Sequence, residues 1–293
     1  MYKVGHVAFV GRPNAGKSSL INTLVGEKVS IVTPKPQTTR DNALGIFTDE
    51  KRQIVFVDTP GVHRAKSNFG QSMVKAANNA ARGADICAVL IDSTKGLCDV
   101  SKKLLKRYSP PVVIITKADI GGFERIYPLI AELDAFLTES QNDRNVKQDN
   151  FMDKPDIIPV SVVSKLNLDK LLDIFSSVLP EGELLYPEDE YTDKSENYMI
   201  AEIVREKALF FLRDEIPHGI KVEVTRRKGD TGITLIDADI IVERKSHKQI
   251  IIGSQGAMLK RIGETARLGI ERMLGCKIYI TLFVKIRENW RDK

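Results

Sequence analysis

Residues 11–18 read Gly11-Arg12-Pro13-Asn14-Ala15-Gly16-Lys17-Ser18, and this stretch decides the fold. It fills the G-x-x-x-x-G-K-[ST] pattern of a phosphate-binding loop. The apolar run 7–10 before it predicts a buried strand, and residues 19–24 after it predict a helix. In that context the two glycines let successive backbone N–H groups face phosphate oxygens, at the positive end of the helix. The pattern therefore predicts a nucleotide-binding protein.

Two further segments are expected to complete the phosphate site. Lys17 is predicted to reach the β- and γ-phosphates, and Ser18 to join the Mg²⁺ shell. The segment Asp58-Thr59-Pro60-Gly61 follows a predicted strand at 53–57. This places an acid that holds Mg²⁺ through water, and a glycine whose N–H approaches the γ-phosphate. The alternative interpretation of this tetrapeptide is an ordinary turn.

The base is expected to be guanine. The segment Thr116-Lys117-Ala118-Asp119 ends another predicted strand and resembles the Asn-Lys-x-Asp loop of GTPases. In that loop the carboxylate accepts hydrogen bonds from the N1–H and amino group of guanine, which adenine cannot supply. Thr116 departs from the usual Asn, as in Rho-type GTPases. Ser161-Val162 matches the weaker last loop, where a backbone N–H meets guanine O6.

Composition places the chain among globular proteins with two domains. It has 293 residues, of which 42% are hydrophobic and 28% charged. Three cysteines without C-x-x-C spacing and four scattered histidines predict a reduced, cytoplasmic compartment and no structural zinc. The first residues lack a signal-peptide core, and no apolar run is long enough to span a bilayer. Any membrane contact is therefore expected to be peripheral.

Apolar runs alternate with helix-period segments through the first 180 residues. This alternation predicts an α/β domain with a mostly parallel sheet and helices on both faces. The polar stretch 141–155 is interpreted as a surface insertion. An acidic, proline-containing stretch then separates the domains, so that residues 1–180 form the first domain, 181–196 a linker and 197–293 the second domain.

The second domain has the order helix, strand, strand, helix, G-x-x-G, helix, strand. Residues 220–293 carry sixteen Lys and Arg against nine Asp and Glu, which favours a polyanionic partner. The element order resembles a type II KH domain, in which the G-x-x-G loop approaches the backbone of single-stranded RNA. The alternative interpretation of the G-x-x-G segment is an ordinary turn between two helices. The predicted RNA-binding residues are Arg244, Lys245, Lys248, Gly253, Ser254, Gln255, Gly256, Lys260 and Arg261.

End to end, the chain resembles the Era subfamily of the TrmE–Era–EngA–EngB–Septin-like GTPases. The stretches that carry the resemblance are residues 11–18, 186–193, 202–207, 243–256 and 284–291. The resemblance implies a GTPase that binds the 3′ end of small-subunit (16S) rRNA and assists maturation of the 30S subunit. The GTP form would hold RNA and the GDP form would release it. It also implies a monomer that is cytoplasmic, with peripheral association at the inner membrane.

The same resemblance suggests how hydrolysis is organised. Residues 33–41 are similar to a first switch, in which Thr39, or Thr38 if the register slips by one, closes onto Mg²⁺ and the γ-phosphate. Val62 replaces the Gln that orients water in Ras-like enzymes, which predicts a slow rate. Asn14 matches the position that coordinates K⁺ in potassium-activated relatives; the alternative is that it only shapes the turn.

Two other functional hypotheses remain open at this stage. One is an RNA-binding assembly scaffold that uses GTP only for structure, which Val62 and Thr116 motivate. The other places the chain with Der or TrmE, although Der carries two GTPase domains and TrmE has additional regions that this chain lacks. Ser254-Gln255 also replaces the family's usual Lys-Gly, which is expected to lower RNA affinity modestly.

Overall fold

The computed structural model describes residues 1–35, 38–39, 42–61, 68–142, 154–212, 220–229 and 232–288. Val62 and most of the predicted insertion at 141–155 therefore lie outside the described residues. The chain divides into two compact units. The first unit comprises Met1–Ser30 and Thr39–Asp193, and the second comprises Ile31–Thr38 and Lys194–Lys293.

The first unit is built on a seven-stranded sheet with the order β2-β3-β1-β4-β5-β6, and β7 pairs with β1. The pairings among β3, β1, β4, β5 and β6 are parallel, whereas β2 and β7 pair antiparallel. The mostly parallel sheet predicted from the sequence is confirmed. The strands are β1 (Tyr2–Gly11), β2 (Ala43–Thr48), β3 (Arg52–Asp58), β4 (Ile86–Asp92), β5 (Val112–Thr116), β6 (Asp156–Pro159) and β7 (Glu181–Gly182).

Helices cover both faces of this sheet. Alternate side chains of β1 point to opposite sides: Phe9 packs with α1 and α5 residues, and Val10 packs with α3 and α4 residues. On the first face, the rings of Phe9, Phe56 and Phe175 lie 5.4–6.0 Å apart and are fully buried. The helices are α1 (Lys17–Val25), α2 (Asn68–Gly83), α3 (Asp99–Tyr108), α4 (Ala118–Asn142) and α5 (Leu168–Val178).

The phosphate loop, the Asp58 segment and the base loop each follow the carboxyl end of a parallel strand, at one edge of the sheet. β1 ends at Gly11, β3 at Asp58 and β5 at Thr116. Side chains that follow neighbouring parallel strands meet at this edge, which is where open α/β sheets bind ligands. α4 begins within the base loop, at Ala118, and bends at Gly122, whose φ is 59°.

The segment expected to be a linker is packed against the first unit over residues 181–193. β7 pairs with the start of β1, and Thr192 bridges to Gly45 in β2. The buried Gln53 side chain accepts hydrogen bonds from the Leu185 and Tyr186 N–H groups at 2.7 and 3.0 Å. These contacts anchor the segment along the sheet.

The second unit has helices on one side of a three-stranded sheet with the order β10-β9-β8. β9 pairs parallel with β10 and antiparallel with β8. Ile203 of α6, Ile240 of β9 and Ile262 of α8 are fully buried in its core. The elements are α6 (Glu196–Phe211), β8 (Lys221–Gly229), β9 (Ile233–Val242), α7 (Lys245–Ile252), a short 3₁₀ turn (Ser254–Gly256), α8 (Ala257–Leu274) and β10 (Lys277–Ile286).

Residues 31–38, which the sequence placed in the first domain, belong to the second unit. The Arg205 guanidinium on α6 donates to the Thr38 carbonyl at 2.8 Å, and the Glu206 carboxylate accepts from the Val32 N–H at 3.1 Å. Both α6 side chains are buried. Among the described helices of the whole chain, none is long and apolar enough to cross a membrane.

Candidate nucleotide-binding and RNA-binding sites

The phosphate loop connects β1 to α1. Asn14 and Gly16 both adopt positive φ, at 61° and 89°, which curls the loop back on itself. Gly16 occupies the N-cap of α1, and no described side chain caps that end. The uncapped end leaves N–H donors and the positive helix dipole for an anion. Arg12 turns away and donates to the Cys98 sulfur at 3.3 Å.

Lys17 is buried inside this loop. Its ammonium donates to the Arg12 carbonyl at 3.1 Å and to the Gly11 carbonyl at 3.4 Å, and the side chain is 6% exposed. Burial lowers the pKa of the ammonium to about 8, and the nearby Asp58 charge opposes part of that shift. A bound polyphosphate would place negative charge beside this buried ammonium and so stabilise its protonated form.

Three oxygen-bearing side chains converge beside the loop. The Ser18 hydroxyl donates to Asp58 Oδ2 at 2.7 Å, and the Thr39 hydroxyl lies 3.1 Å from Ser18 Oγ and 3.3 Å from Asp58 Oδ2. Burial raises the pKa of the Asp58 carboxyl, while the Ser18 hydrogen bond and the Lys17 charge oppose this shift. Asp58 Oδ1 is buried and has no hydrogen-bond partner among the described residues.

Of the two candidate switch threonines, Thr39 is the one that lies beside Ser18 and Asp58. Thr38 is turned elsewhere, because its hydroxyl contacts Thr33 Oγ1 at 2.6 Å and the Lys35 carbonyl at 2.7 Å. The hard oxygen donors of Ser18, Thr39 and Asp58 fit the ligand preference of Mg²⁺, and the unpartnered Asp58 oxygen is consistent with a cation there.

The Asp58-Thr59-Pro60-Gly61 segment lies against the phosphate loop. All four residues are buried, and the Thr59 hydroxyl donates to the Phe9 carbonyl at 2.6 Å. A Cβ on Gly61 would lie 2.7 Å from the Pro13 backbone N and Cα atoms. The two loops are therefore too close for any side chain at position 61. The Val62 prediction falls outside the described residues.

The base loop is held by side-chain hydrogen bonds. The Thr116 hydroxyl donates to the Ala15 carbonyl of the phosphate loop at 2.8 Å. The Asp119 carboxylate is exposed and accepts from the Ser161 hydroxyl at 2.7 Å. Ala118 is buried and its N–H donates to the Val160 carbonyl at 3.1 Å. The loop thus presents one oriented, exposed carboxylate.

Lys117 and Val162 support this loop. Lys117 has a φ of 58° and its ammonium lies 2.6 Å from Asp92 Oδ2 at the end of β4. Burial acts to raise the pKa of Asp92, but hydrogen bonds from Lys117 and Thr94 outweigh it and the pKa lies below its ordinary value. The Val162 side chain packs on the core. The Ser161 N–H donates to the Leu166 carbonyl at 3.3 Å, so it is engaged within the protein.

In the second unit, the G-x-x-G loop joins α7 to α8. Gly253 and Gly256 adopt φ of 71° and 79°, and Gln255 between them adopts 50°. A Cβ on Gly253 would lie 2.7 Å from the Met258 Cβ, whereas at Gly256 it would meet nothing within 4 Å. The loop therefore exposes backbone at Gly256, with Ser254 and Gln255 also exposed.

A groove of about 560 Å³ begins at this loop and runs between α8 and β10. Gly256 lies at the loop end of the groove, and one wall is α8, with Lys260, Gly263, Glu264 and Arg267. The other wall is β10, an edge strand, with Tyr279 and Thr281 among its lining residues. The groove combines backbone, cations and an aromatic ring, which are the groups that bind single-stranded RNA.

Only part of the predicted RNA set borders the groove. Gly256 and Lys260 line it. Arg261 instead lies over the Phe211 ring, with its guanidinium carbon 4.3 Å from the ring centroid. Arg244 is the N-cap of α7, and Lys245 and Lys248 lie on that helix.

Sequence reasoning missed Arg267, Tyr279 and Asp92. A basic residue on a helix surface or a tyrosine in a strand carries no site signal of its own, because the groove forms only when α8 packs beside β10. Asp92 had a usable signal, since it ends a buried parallel strand at the ligand-binding edge.

The loops and the groove define a class: a P-loop GTPase domain followed by a KH domain. A family model described as 50S ribosome-binding GTPase matches residues 6–117, and a KH domain model matches residues 215–291. GTPase Era of Clostridium botulinum (strain Eklund 17B / Type B) is 42% identical over 297 aligned residues, covering 100% of this chain and 96% of the relative.

Two solved structures are similar over nearly the whole chain. A crystal structure of Era in complex with MgGDPNP and nucleotides 1506–1542 of 16S ribosomal RNA is 38% identical, with a TM-score of 0.89 and coverage of 100% of this chain and 96% of that one. Aquifex aeolicus Era bound to GDP·AlF₄⁻, a single-residue variant, has the same identity and TM-score and covers 99% and 96%. The chain belongs to the GTPase Era family, which confirms the predicted family and fold class.

Proposed function

We propose that this GTPase is a molecular switch that binds the 3′ end of small-subunit rRNA and assists maturation of the 30S subunit. Support comes from the similar Era structure, whose complex contains MgGDPNP and 16S rRNA nucleotides. Residues 1–180 are proposed to bind GTP and residues 197–293 to bind RNA, and residues 181–196 link the two domains.

The phosphates bind the backbone of residues 11–18, with Lys17 neutralising the β- and γ-phosphates. Its buried ammonium and lowered pKa support this role, because a cation in a desolvated loop is stabilised by an anionic ligand. Gly61 brings its N–H to the γ-phosphate from a segment that already touches Pro13. Hydrolysis yields GDP and phosphate, and it is proposed to be slow because the Val62 side chain has no polar group to orient water.

Guanine is read by the loop at residues 116–119 together with Ser161-Val162. Asp119 carries the specificity, since its exposed carboxylate is oriented by the Ser161 hydroxyl at 2.7 Å. Lys117 and Ala118 shape the loop around it, through the Asp92 ion pair and a buried backbone hydrogen bond.

Two cations complete the proposed site. Mg²⁺ is held by Ser18, Thr39 and Asp58, and when bound it neutralises charge that develops on the β- and γ-phosphate oxygens. Asn14 is exposed and its backbone adopts the left-handed conformation. It is the proposed ligand of K⁺. A monovalent cation there would supply charge that an arginine finger supplies in other GTPases.

RNA is proposed to occupy the groove between α8 and β10. This groove is the structural feature that best supports RNA binding by the second unit. Its cations Lys260 and Arg267 pair with phosphates, while the open Gly256 backbone allows a phosphate to come near. Tyr279, 65% exposed, offers a face on which a base stacks. Other residues of the proposed RNA surface are Arg244, Lys245, Lys248, Gly253, Ser254, Gln255 and Arg261.

Charge reversal in the groove tests this assignment. The probe is an RNA oligonucleotide with the sequence of 16S rRNA nucleotides 1506–1542, and the readout is its affinity and salt dependence. Lys260→Glu and Arg267→Glu are each expected to weaken binding and to reduce the slope of log K against log salt by about one. Arg272→Glu, on the exposed end of the same helix and outside the groove lining, is the matched control. Equal losses in all three variants would indicate a general charge effect and remove the groove from the proposal.

The proposed setting is the cytoplasm, where the chain acts as a monomer, with peripheral contact at the inner face of the cell membrane. Sedimentation with anionic vesicles and light scattering of the GTP-bound protein check these two statements.

A further inference from the structure

The Thr116 hydroxyl contacts backbone carbonyl groups inside the protein. The side chain is 4% exposed, and Oγ1 lies 2.8 Å from the Ala15 carbonyl and 3.3 Å from the Ile91 carbonyl. A hydroxyl carries one hydrogen, so it donates one strong hydrogen bond. The shorter contact takes it, and the side chain thereby ties the end of β5 to the phosphate loop.

The other side-chain donors of the base loops are engaged as well. The Lys117 ammonium is paired with Asp92 at 2.6 Å, and the Ser161 hydroxyl donates to Asp119 at 2.7 Å. Each of these three bonds joins two protein groups and positions the loop. The exposed carboxylate of Asp119 can only accept hydrogen bonds when ionised, and the Lys117 ammonium, although it has three N–H groups, is anchored on Asp92.

Guanine presents donors on one edge and acceptors on another. Its N1–H and amino group match a carboxylate, whereas O6 and N7 require donors. An asparagine at position 116 has two N–H donors, so it can hold the Ala15 carbonyl and still donate to the base. A threonine cannot do both.

We propose that Thr116 is a positioning residue of the phosphate loop that gives no hydrogen bond to the base, so that this GTPase recognises guanine without reading N7. The inference rests on the proposed base-binding role of residues 116–119. Recognition then comes from Asp119 on the N1 and amino edge and from backbone N–H groups at O6. A purine that lacks N7 should bind as well as guanine, and a purine that lacks the amino group should not.

The experiment measures the affinity of the full chain for GDP, 7-deaza-GDP and IDP by calorimetry, with Mg²⁺ present. The wild-type affinities for GDP and 7-deaza-GDP are expected to agree within about twofold. IDP lacks the amino group that Asp119 reads, so it is expected to bind about tenfold or more weakly. Thr116→Asn restores a spare donor and is expected to favour GDP over 7-deaza-GDP by about threefold or more.

Two variants separate positioning from base contact. Thr116→Val keeps the shape of the side chain and loses the Ala15 hydrogen bond, so GDP and 7-deaza-GDP should weaken by the same factor. Thr116→Ser keeps the hydroxyl and should rescue both affinities.

A wild-type preference for GDP over 7-deaza-GDP of more than about threefold would overturn the inference, because N7 would then be read. That comparison decides the matter even if a variant fails to fold. IDP binding as tightly as GDP would instead remove the base-loop assignment on which the inference rests. The two failures are distinguished by which analogue loses affinity.

Discussion

Raising the pH from 7 to 8.5 is expected to weaken nucleotide binding through the buried ammonium of Lys17. Burial lowers its pKa to about 8 in the free protein. A bound polyphosphate places negative charge beside the ammonium and raises that pKa again. Because the pKa is lower in the free protein than in the complex, binding takes up a proton, and affinity falls as the pH rises through about 8.

The magnitude follows from the pKa alone. With a free-protein pKa of about 8, binding takes up about 0.1 proton at pH 7, about 0.5 at pH 8 and about 0.8 at pH 8.5. Over that range the dissociation constant rises about fourfold, which corresponds to about 0.8 kcal/mol. Phosphate groups are already ionised through most of this window, so their own titration contributes little above pH 8.

Calorimetry of GDP binding in buffers with different ionisation enthalpies measures the proton uptake directly. Lys17→Arg is the matched control, since a guanidinium stays protonated throughout and should show almost no uptake. A carbon-13 NMR titration of Lys17 in the free protein gives the pKa independently. Uptake near zero in the wild-type protein at pH 8 would mean that Lys17 is fully charged before binding, and would refute the desolvation argument.

Other residues give predictions of the same kind. Asp119→Asn is expected to shift preference from guanosine to xanthosine nucleotides, because the new amide presents a donor to the altered base edge; competition binding checks it, and an unchanged preference for GTP contradicts the assignment. Replacing K⁺ with Na⁺ is expected to slow GTP turnover through the site at Asn14, and equal rates would remove that site. Gly253→Asp is expected to weaken binding of the 1506–1542 RNA oligonucleotide while sparing GTP, since the new side chain meets Met258 and adds negative charge to the loop; intact RNA binding would return the G-x-x-G loop to a structural turn, and the melting temperature monitors folding.

The sequence predicted most of the first unit because its signals are local. A phosphate loop requires a strand before it and a helix after it, and the buried parallel strands are continuous apolar runs. β2 escaped prediction, since Ala43–Thr48 is a short antiparallel edge strand with mixed burial whose apolar residues are interrupted by Gly45. Its identity depends on pairing with β3 rather than on its own pattern.

Adjacent threonines show the limit of local reasoning. Thr38 and Thr39 have identical chemistry, and only tertiary contacts with Ser18 and Asp58 on one side, or with Thr33 and Arg205 on the other, distinguish their roles. The sequence therefore left both registers open.

Of the groove between α8 and β10, the sequence predicted only Gly256 of the G-x-x-G loop and Lys260 beside it. Its walls come from α8 and from β10, and the cavity depends on how a helix packs beside an edge strand. Arg261 shows the opposite case, because a basic residue next to the loop stacks on Phe211 of α6 instead. Charge and proximity in sequence do not settle which way a long side chain turns.

Gating of RNA binding by the nucleotide is tested most directly by the RNA affinity measured in both nucleotide states. The full chain, loaded with Mg²⁺ and either GDP or GDPNP, is titrated with the 1506–1542 RNA oligonucleotide. A switch binds the RNA more tightly in the GDPNP state. By linkage, the RNA then raises the affinity for GDPNP relative to that for GDP by the same factor. Equal RNA affinity in the two states, with GTP turnover that RNA does not change, would contradict the account and favour a scaffold that uses GTP only for structure.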